Sequence, residues 1–384
     1  MRIALVTTWG TSCGIATYSE ELTRAYLKAG HEVVIFAPAE MGSCIRETGI
    51  QVPTIQCWTR QFVGLPQKME QILKTEPGFD IIHFQHEHGL FWSAPGLLEA
   101  LRQLTEHKVR TVVTLHTIFH YGSWQHSGLY DGFKHFADAV VVHTAEGAAS
   151  LACARGTRAE LTIIPHGTEL GVRGEREEGL RYLDVPQQLW DKAVFGMIFG
   201  FQGPSKNTVC TIRAFADSLS RRYQDNGMLI IAGEDGDTNY LHDVENAVGE
   251  SGYGRHVHIH RGFTPVARVP DVMAAADFGV LNTNSWPISA SGAAHVYMRY
   301  GIPLAVANRP IYNEAIRGGA IPFTLGPDSG VPTLSMVNAI GALVRDVRLR
   351  AAIGQQLCAY AEKSSWENVA GQHVDLYRRL LDGR

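Results

Sequence analysis

The chain has 384 residues, enough for two or three domains with sizeable cores. Apolar residues make up 45% and charged residues 19%, which excludes a disordered polyelectrolyte. With 34 basic and 38 acidic side chains the formal charge is −4, which argues against a nucleic-acid-wrapping surface but leaves room for a local diphosphate pocket.

Short runs rich in Val and Ile alternate with helical patterns along the chain. Ile3–Val6, Val33–Phe36, Ile81–Phe84, Val109–Leu115, Ala139–Val142 and Leu161–Ile164 read as buried parallel strands. Ala16–Ala29 reads as a helix stopped by Gly30. This βαβα alternation predicts a doubly wound sheet. Gly171–Gln188 is charged and Gly-containing, and reads as a linker. Strands restart at Val194–Ile198, Met228–Ala232, His256–His260, Phe278–Leu281 and Leu304–Ala307, so two similar α/β domains are expected, residues 1–186 and 187–365. Ser365–Leu381 then places Trp366, Val369, Leu376, Tyr377 and Leu380 near one helical stripe.

The six cysteines are scattered without a CxxC pair, so neither a disulfide framework nor a zinc ribbon is expected. No run approaches ~18 uninterrupted apolar residues, and the amino end has an apolar run too short for a signal segment. A cytoplasmic protein without an integral membrane segment is the expectation.

In open α/β sheets ligands sit beyond the carboxyl ends of the strands. Thr8–Ser19 carries Gly10 and Gly14 around a turn that opens a helix, which suits an anion or a merely tight turn. It is not GxGxxG and no acidic residue closes the second strand, so a nicotinamide dinucleotide is disfavoured. In HFQHEHG, His83 and His86 fall on opposite strand faces and no HExxH helix follows. Metal binding is therefore disfavoured, leaving ligand contacts or structural hydrogen bonds for His86 and His88. Ten of the 17 histidines lie between His83 and His166. His116 closes the strand VVTLH and suits either a sugar contact or a core hydrogen bond, and His143 and His166 invite the same pair of readings.

In the second half, FGFQGPSKN brings Lys206 to a helix mouth, where a cation and the helix dipole hold a diphosphate; a solvated lysine is the alternative. Gly233 and Glu234 in IIAGEDGD fit a ribose contact or a turn. Ser289, Ser291, Gly292 and Ala293 open a further helix, as phosphate donors or as an ordinary cap. His256, His258 and His260 share a strand face, too far apart for one metal, and read as a half-exposed face.

Taken together, GIATYSEEL, FDIIHFQHEHG, VVTLHT, ADAVVVHT, IIPHGTE, LIIAGEDGD, ADFGVLNTNS and GIPLAVA resemble, in order and interval, the GT-B glycosyltransferases of the large retaining family 4. The resemblance implies two Rossmann-like domains facing a central cleft, the first completed by a crossover helix over 366–384. It implies a UDP- or GDP-type nucleotide sugar as donor, a small-molecule or glycan acceptor, transfer of a hexose-type sugar with retention, and neither bound metal nor other cofactor. By position, Lys206 matches the lysine on the donor diphosphate, with Gln202, Ser289, Ser291, Gly292 and Ala293 beside it. His116 matches the histidine that approaches the donor sugar, and Gly14 lies in the loop shaping the diphosphate and acceptor pocket. Gly233, Glu234, Asn284 and His295 fall on the nucleotide side, and His86, His88 and His166 on the acceptor side. Three departures stand out. Phe201 or Gln202 replaces the family's arginine, and Ile288 and Val296 occupy the places of its paired glutamates. Their contacts fall to Ser289, Ser291, Asn284 or His295, or are missing, as in a non-catalytic relic of the fold; an epimerase or phosphorylase is a third reading.

Overall fold

A computed structural model describes residues 1–11, 13–39, 48–59, 67, 78–90, 94–107, 109–119, 127–221, 226–233, 238–284, 288–326 and 330–383. The chain forms two compact units: unit 1 is Met1–Gly167, Pro287–Ala290 and Ser364–Arg384, and unit 2 is Thr168–Trp286 and Ser291–Lys363.

Unit 1 is built on a seven-stranded parallel sheet. Its strands are β1 (Arg2–Val6), β2 (Glu32–Pro38), β3 (Thr54–Trp58), β4 (Ile81–His86), β5 (Arg110–Leu115), β7 (Ala139–Val142) and β8 (Glu160–Ile163), with the two-residue β6 (Thr117–Ile118) outside it. The order is β3-β2-β1-β4-β5-β7-β8. Both faces are covered, which is why the strands are mostly apolar. Ile3 and Leu5 pack with Val369 and Tyr377, whereas Ala4 and Val6 pack with Leu97 and Leu101 on the other side. The helix Gly14–Lys28 is capped by Cys13, whose sulfur accepts from the Ala16 amide, and Gly30 beyond its end takes φ +79°. The helix Trp366–Asp382 buries Trp366, Val369, Ala370, His373, Val374, Leu376 and Tyr377 within this unit.

Unit 2 repeats the plan with a six-stranded parallel sheet. Its strands are β9 (Val194–Phe199), β10 (Gly227–Gly233), β11 (Val257–Arg261), β12 (Phe278–Leu281), β14 (Leu304–Ala307) and β15 (Ile321–Phe323). They run in the order β11-β10-β9-β12-β14-β15. Between β12 and β14 the chain supplies β13 (Ile288–Ser289), which belongs to unit 1 and pairs antiparallel with β6, Ile288 opposite Ile118.

Unit 2 begins at Thr168, well ahead of the expected boundary at 186/187. The segment read as a linker contains the helix Arg176–Tyr182, whose Leu180, with Leu183 and Val185 beyond it, enters the core of unit 2. Arg176 pairs with Asp277, and Arg173 donates to the carbonyls of Tyr300 and Gly301. The same segment covers the histidine strand: His258 bonds the Leu183 carbonyl and His260 stacks beside Tyr182. His256 ends a short 3-10 turn, bonds the Gly227 carbonyl and is buried, while His258 and His260 stay partly exposed, in keeping with the half-exposed face expected of this strand.

Candidate functional site

The strand orders fix where ligands belong. In unit 2 the order reverses between β9 and β12, and the loops leaving those two strands flank the switch point where doubly wound sheets hold ligands. Past β9 the chain makes a 3-10 turn, Pro204–Lys206, then Asn207 in the left-handed region (φ +50°), then the helix Thr208–Ser220. Past β12, the Asn284 amide donates to the Ser205 carbonyl at 3.2 Å, so Asn284 lies against the lysine turn. Asn282 braces the turn from beneath, donating to Thr211 Oγ1 at 3.2 Å. Lys206 stands half-buried on this platform without an ion pair among the described residues, and burial alone lowers its pKa. A desolvated, unpaired ammonium at a switch point favours an incoming anion.

Other expected donor contacts are spent inside the protein. Gln202 donates to the Gly200 carbonyl at 2.8 Å and accepts from Thr208 Oγ1 at 2.9 Å, so its side chain pins the loop. A Cβ on Gly233 would fall 1.8 Å from the Gly200 carbonyl oxygen, so this glycine serves close backbone packing between the loops after β9 and β10. Glu234 lies outside the described residues. Ser291 caps the helix Gly292–Arg299, its hydroxyl accepting from the Ala294 amide, and leaves Gly292 and Ala293 at the open first turn. A Cβ on Gly292 would meet open space. Ser289 belongs to unit 1, where its hydroxyl donates to the His116 carbonyl at 2.6 Å, because β13 is drawn into a ladder with β6. His295 has both ring nitrogens taken, Nδ1 by Thr168 Oγ1 at 2.5 Å and Nε2 by Glu314 Oε2 at 3.2 Å. This buried imidazole–carboxylate pair holds the start of unit 2 in place of the expected ribose contact.

In unit 1 the switch point lies between β1 and β4. The loop after β1 turns at Gly10 (φ +62°) and enters its helix at Gly14, where a Cβ would meet nothing within 4 Å. Beyond β4, Glu87 bonds the Thr117 hydroxyl and the amides of His88 and Gly89, and burial, outweighing these bonds, raises its pKa. His88 Nε2 lies 3.0 Å from Tyr130 Oη, and His86 stacks edge-on to His88 and Phe133. Phe91, Trp92 and residues 120–126 lie outside the described residues.

His116 is only 6% exposed, and its imidazole bonds turn inward. Nε2 lies 2.8 Å from Gln85 Oε1 and Nδ1 lies 3.3 Å from His143 Nε2, while Tyr18 packs edge-on at 4.6 Å. Desolvation, then repulsion from His143, His166, His83 and His86, pushes its pKa well below the usual histidine range. His166 Nδ1 bonds the Gly167 carbonyl at 2.7 Å, and its ring packs against Tyr18 and Trp366. The sequence reading missed that His116 belongs to a larger polar line including Tyr26 and Tyr377. Both tyrosines occupy apolar-stripe positions, so no local signal separated them from ordinary core.

Two doubly wound parallel sheets joined in this order define the GT-B class of fold. Residues 13–172 match Glycosyltransferase Family 4. The Anabaena protein HepE, crystallised with UDP, is similar over 99% of this chain and 100% of its own, with 15% identity and a TM-score of 0.74. In its UDP-glucose complex the same protein covers 99% of this chain and 100% of its own, at 16% identity and a TM-score of 0.71. Sucrose-phosphate synthase from Thermosynechococcus elongatus covers 100% of both chains, with 18% identity and a TM-score of 0.71. The match over residues 13–172 is thus to a glycosyltransferase family 4 domain, and the chain as a whole has the GT-B fold. Among the described residues no helix is long and apolar enough to cross a membrane.

Proposed function

We propose that the protein transfers a hexose-type sugar from a UDP- or GDP-type nucleotide sugar to a small-molecule or carbohydrate acceptor, with retention and without a metal, in the cytoplasm. Lys206 carries this reading: an ammonium half out of water, unpaired among the described residues, at the switch point of unit 2. HepE has been crystallised with UDP and with UDP-glucose, which supports a donor of that class. Breaking the bond between sugar and diphosphate develops charge on the leaving group and an oxocarbenium-like sugar. Fixed electrostatics meet both demands, so no enzymic nucleophile is required. Lys206 and the Gly292 and Ala293 amides hold the diphosphate, Asn284 faces the nucleotide, and unit 1, with His116, Gly14, His86, His88 and His166, serves the sugar and acceptor.

A second reading, a non-catalytic nucleotide-sugar-binding protein, is favoured by one observation. Where the family places an arginine this chain has Phe201, 49% exposed, or Gln202, spent on its own loop, so one diphosphate cation is missing. A thermal-shift screen with UDP, GDP, ADP and TDP, followed by turnover assays with the matching nucleotide sugars, separates the readings. A nucleotide at about 100 times its Kd stabilises by roughly 2.7 kcal/mol. Stabilisation with turnover supports the transferase, stabilisation without turnover supports the binding protein, and no stabilisation by any nucleotide removes both.

A further inference from the structure

Six side chains form a hydrogen-bonded line through unit 1. Tyr26 Oη lies 2.7 Å from Tyr377 Oη, which lies 2.6 Å from His83 Nδ1. His83 Nε2 is 3.2 Å from Gln85 Nε2, Gln85 Oε1 is 2.8 Å from His116 Nε2, and His116 Nδ1 is 3.3 Å from His143 Nε2. The backbone fixes one end. His143 Nδ1 is 3.0 Å from the Ile164 carbonyl oxygen, which only accepts, so that nitrogen carries a proton.

This boundary condition sets the protons along the line. When His143 is neutral its Nε2 is bare and accepts from Nδ1–H of His116. His116 Nε2 is then bare and takes a proton from the Gln85 amide NH2. Nε2–H of His83 is then shared between the turned Gln85 carbonyl and Thr114 Oγ1, which lies 2.7 Å away, and His83 Nδ1 accepts from Tyr377. Each ring is neutral and each bond holds one proton. With the Gln85 carbonyl turned instead to His116, the His116 proton sits on Nε2, and the His116–His143 bond is either lost or kept only if His143 holds two protons, a cation in the core. The two arrangements differ by one proton and a half-turn of one amide. A buried cation, or two bare nitrogens facing each other, costs more than turning an amide, which favours the neutral line.

We propose that Gln85 and His143 are positioning residues that act through His116, holding it as the Nδ1–H tautomer with the Gln85 amide donating to Nε2. The proposal rests on the reading that His116 serves glycosyl transfer. The tautomer sets the direction of the imidazole dipole. It also steadies the His116 peptide, whose carbonyl accepts from Ser289 and whose following residues, Thr117 and Ile118, pair with β13.

The test uses the full chain labelled with 15N-histidine, with tautomers read from two-bond 1H–15N correlations and transfer measured on the same samples. The wild type is expected to show His116 protonated on Nδ1 alone. Gln85→Glu, which can only accept when ionised, is expected to move that proton to Nε2. Gln85→Leu is expected to mix the two tautomers and to lower kcat by roughly 10- to 100-fold, with donor KM within about twofold. A wild-type His116 protonated on Nε2, or a Gln85→Leu variant with unchanged tautomer or unchanged kcat, overturns the proposal. Wild-type nucleotide binding without turnover overturns the transfer reading instead, and the spectra alone then decide whether Gln85 holds the tautomer.

Discussion

The hydroxyl of Tyr377 sits 2.6 Å from Nδ1 of His83, though 294 positions separate the two residues. Both are fully buried, and the bond ties the C-terminal helix to β4 in the middle of the unit 1 sheet. Tyr377→Phe keeps the ring and removes the hydroxyl, leaving His83 and Tyr26 each short of a partner. Stranded buried polar groups cost about 1–3 kcal/mol, so the urea midpoint is expected to fall by a corresponding amount. A loss of only a few tenths of a kcal/mol would show that the bond contributes little.

Acid should weaken unit 1 in a defined window. Desolvation pushes the His83 pKa down to about 3 and holds those of His116 and His373 well below 6.5, with neighbouring histidines lowering all three further. The unfolded chain protonates near pH 6.5 while the folded chain refuses those protons. Stability is therefore complete above about pH 6.5 and is lost as pH falls toward the folded values, by at most ~1.4 kcal/mol per pH unit for each histidine. His373 is the cleanest probe, since neither of its buried ring nitrogens has a hydrogen-bond partner among the described residues. His373→Leu should keep or raise stability at pH 7.5 and flatten its decline between pH 6.5 and 5 by about one proton. Urea titrations at several pH values measure both, and an unchanged slope would contradict the assignment.

Lys206 contributes nothing visible to the fold, because its ammonium has no carboxylate among the described residues and burial opposes its charge. Lys206→Ala is therefore expected to melt within a degree or two of the wild type while losing nucleoside-diphosphate affinity by roughly 10- to 100-fold and transfer with it. A charge-assisted hydrogen bond worth about 1.5–3 kcal/mol sets that range. Calorimetric titration with the best nucleotide from the screen, beside a melting curve, checks the two halves together. Wild-type affinity in the variant would remove Lys206 from the site.

The fold was legible where both sheet faces are covered. There the strands become unbroken apolar runs, as at Ala139–Val142 and Leu304–Ala307, found with their observed limits. Two edge strands escaped: Thr54–Trp58 is polar at alternate positions and Ile321–Phe323 is three residues long. The helix Arg176–Tyr182 was hidden because Glu177, Glu178 and Arg181 dominate its composition, while Leu180, fully buried, anchors it. At the site, Lys206 could be read from its distance to a strand end, which is a local property. The fates of Ser289, His295 and Gln202 could not, because each depends on a partner that only the folded chain brings near: the His116 carbonyl, Glu314 with Thr168, and Thr208 beside the Gly200 carbonyl.

A crystal structure of the protein soaked with UDP and GDP in parallel tests the central claim most directly. The account predicts a diphosphate at the switch point of unit 2, with Lys206 Nζ within about 3 Å of a phosphate oxygen and the Gly292 or Ala293 amide on the same group. A nucleotide bound elsewhere, or a diphosphate seated there with Lys206 turned away, would contradict it.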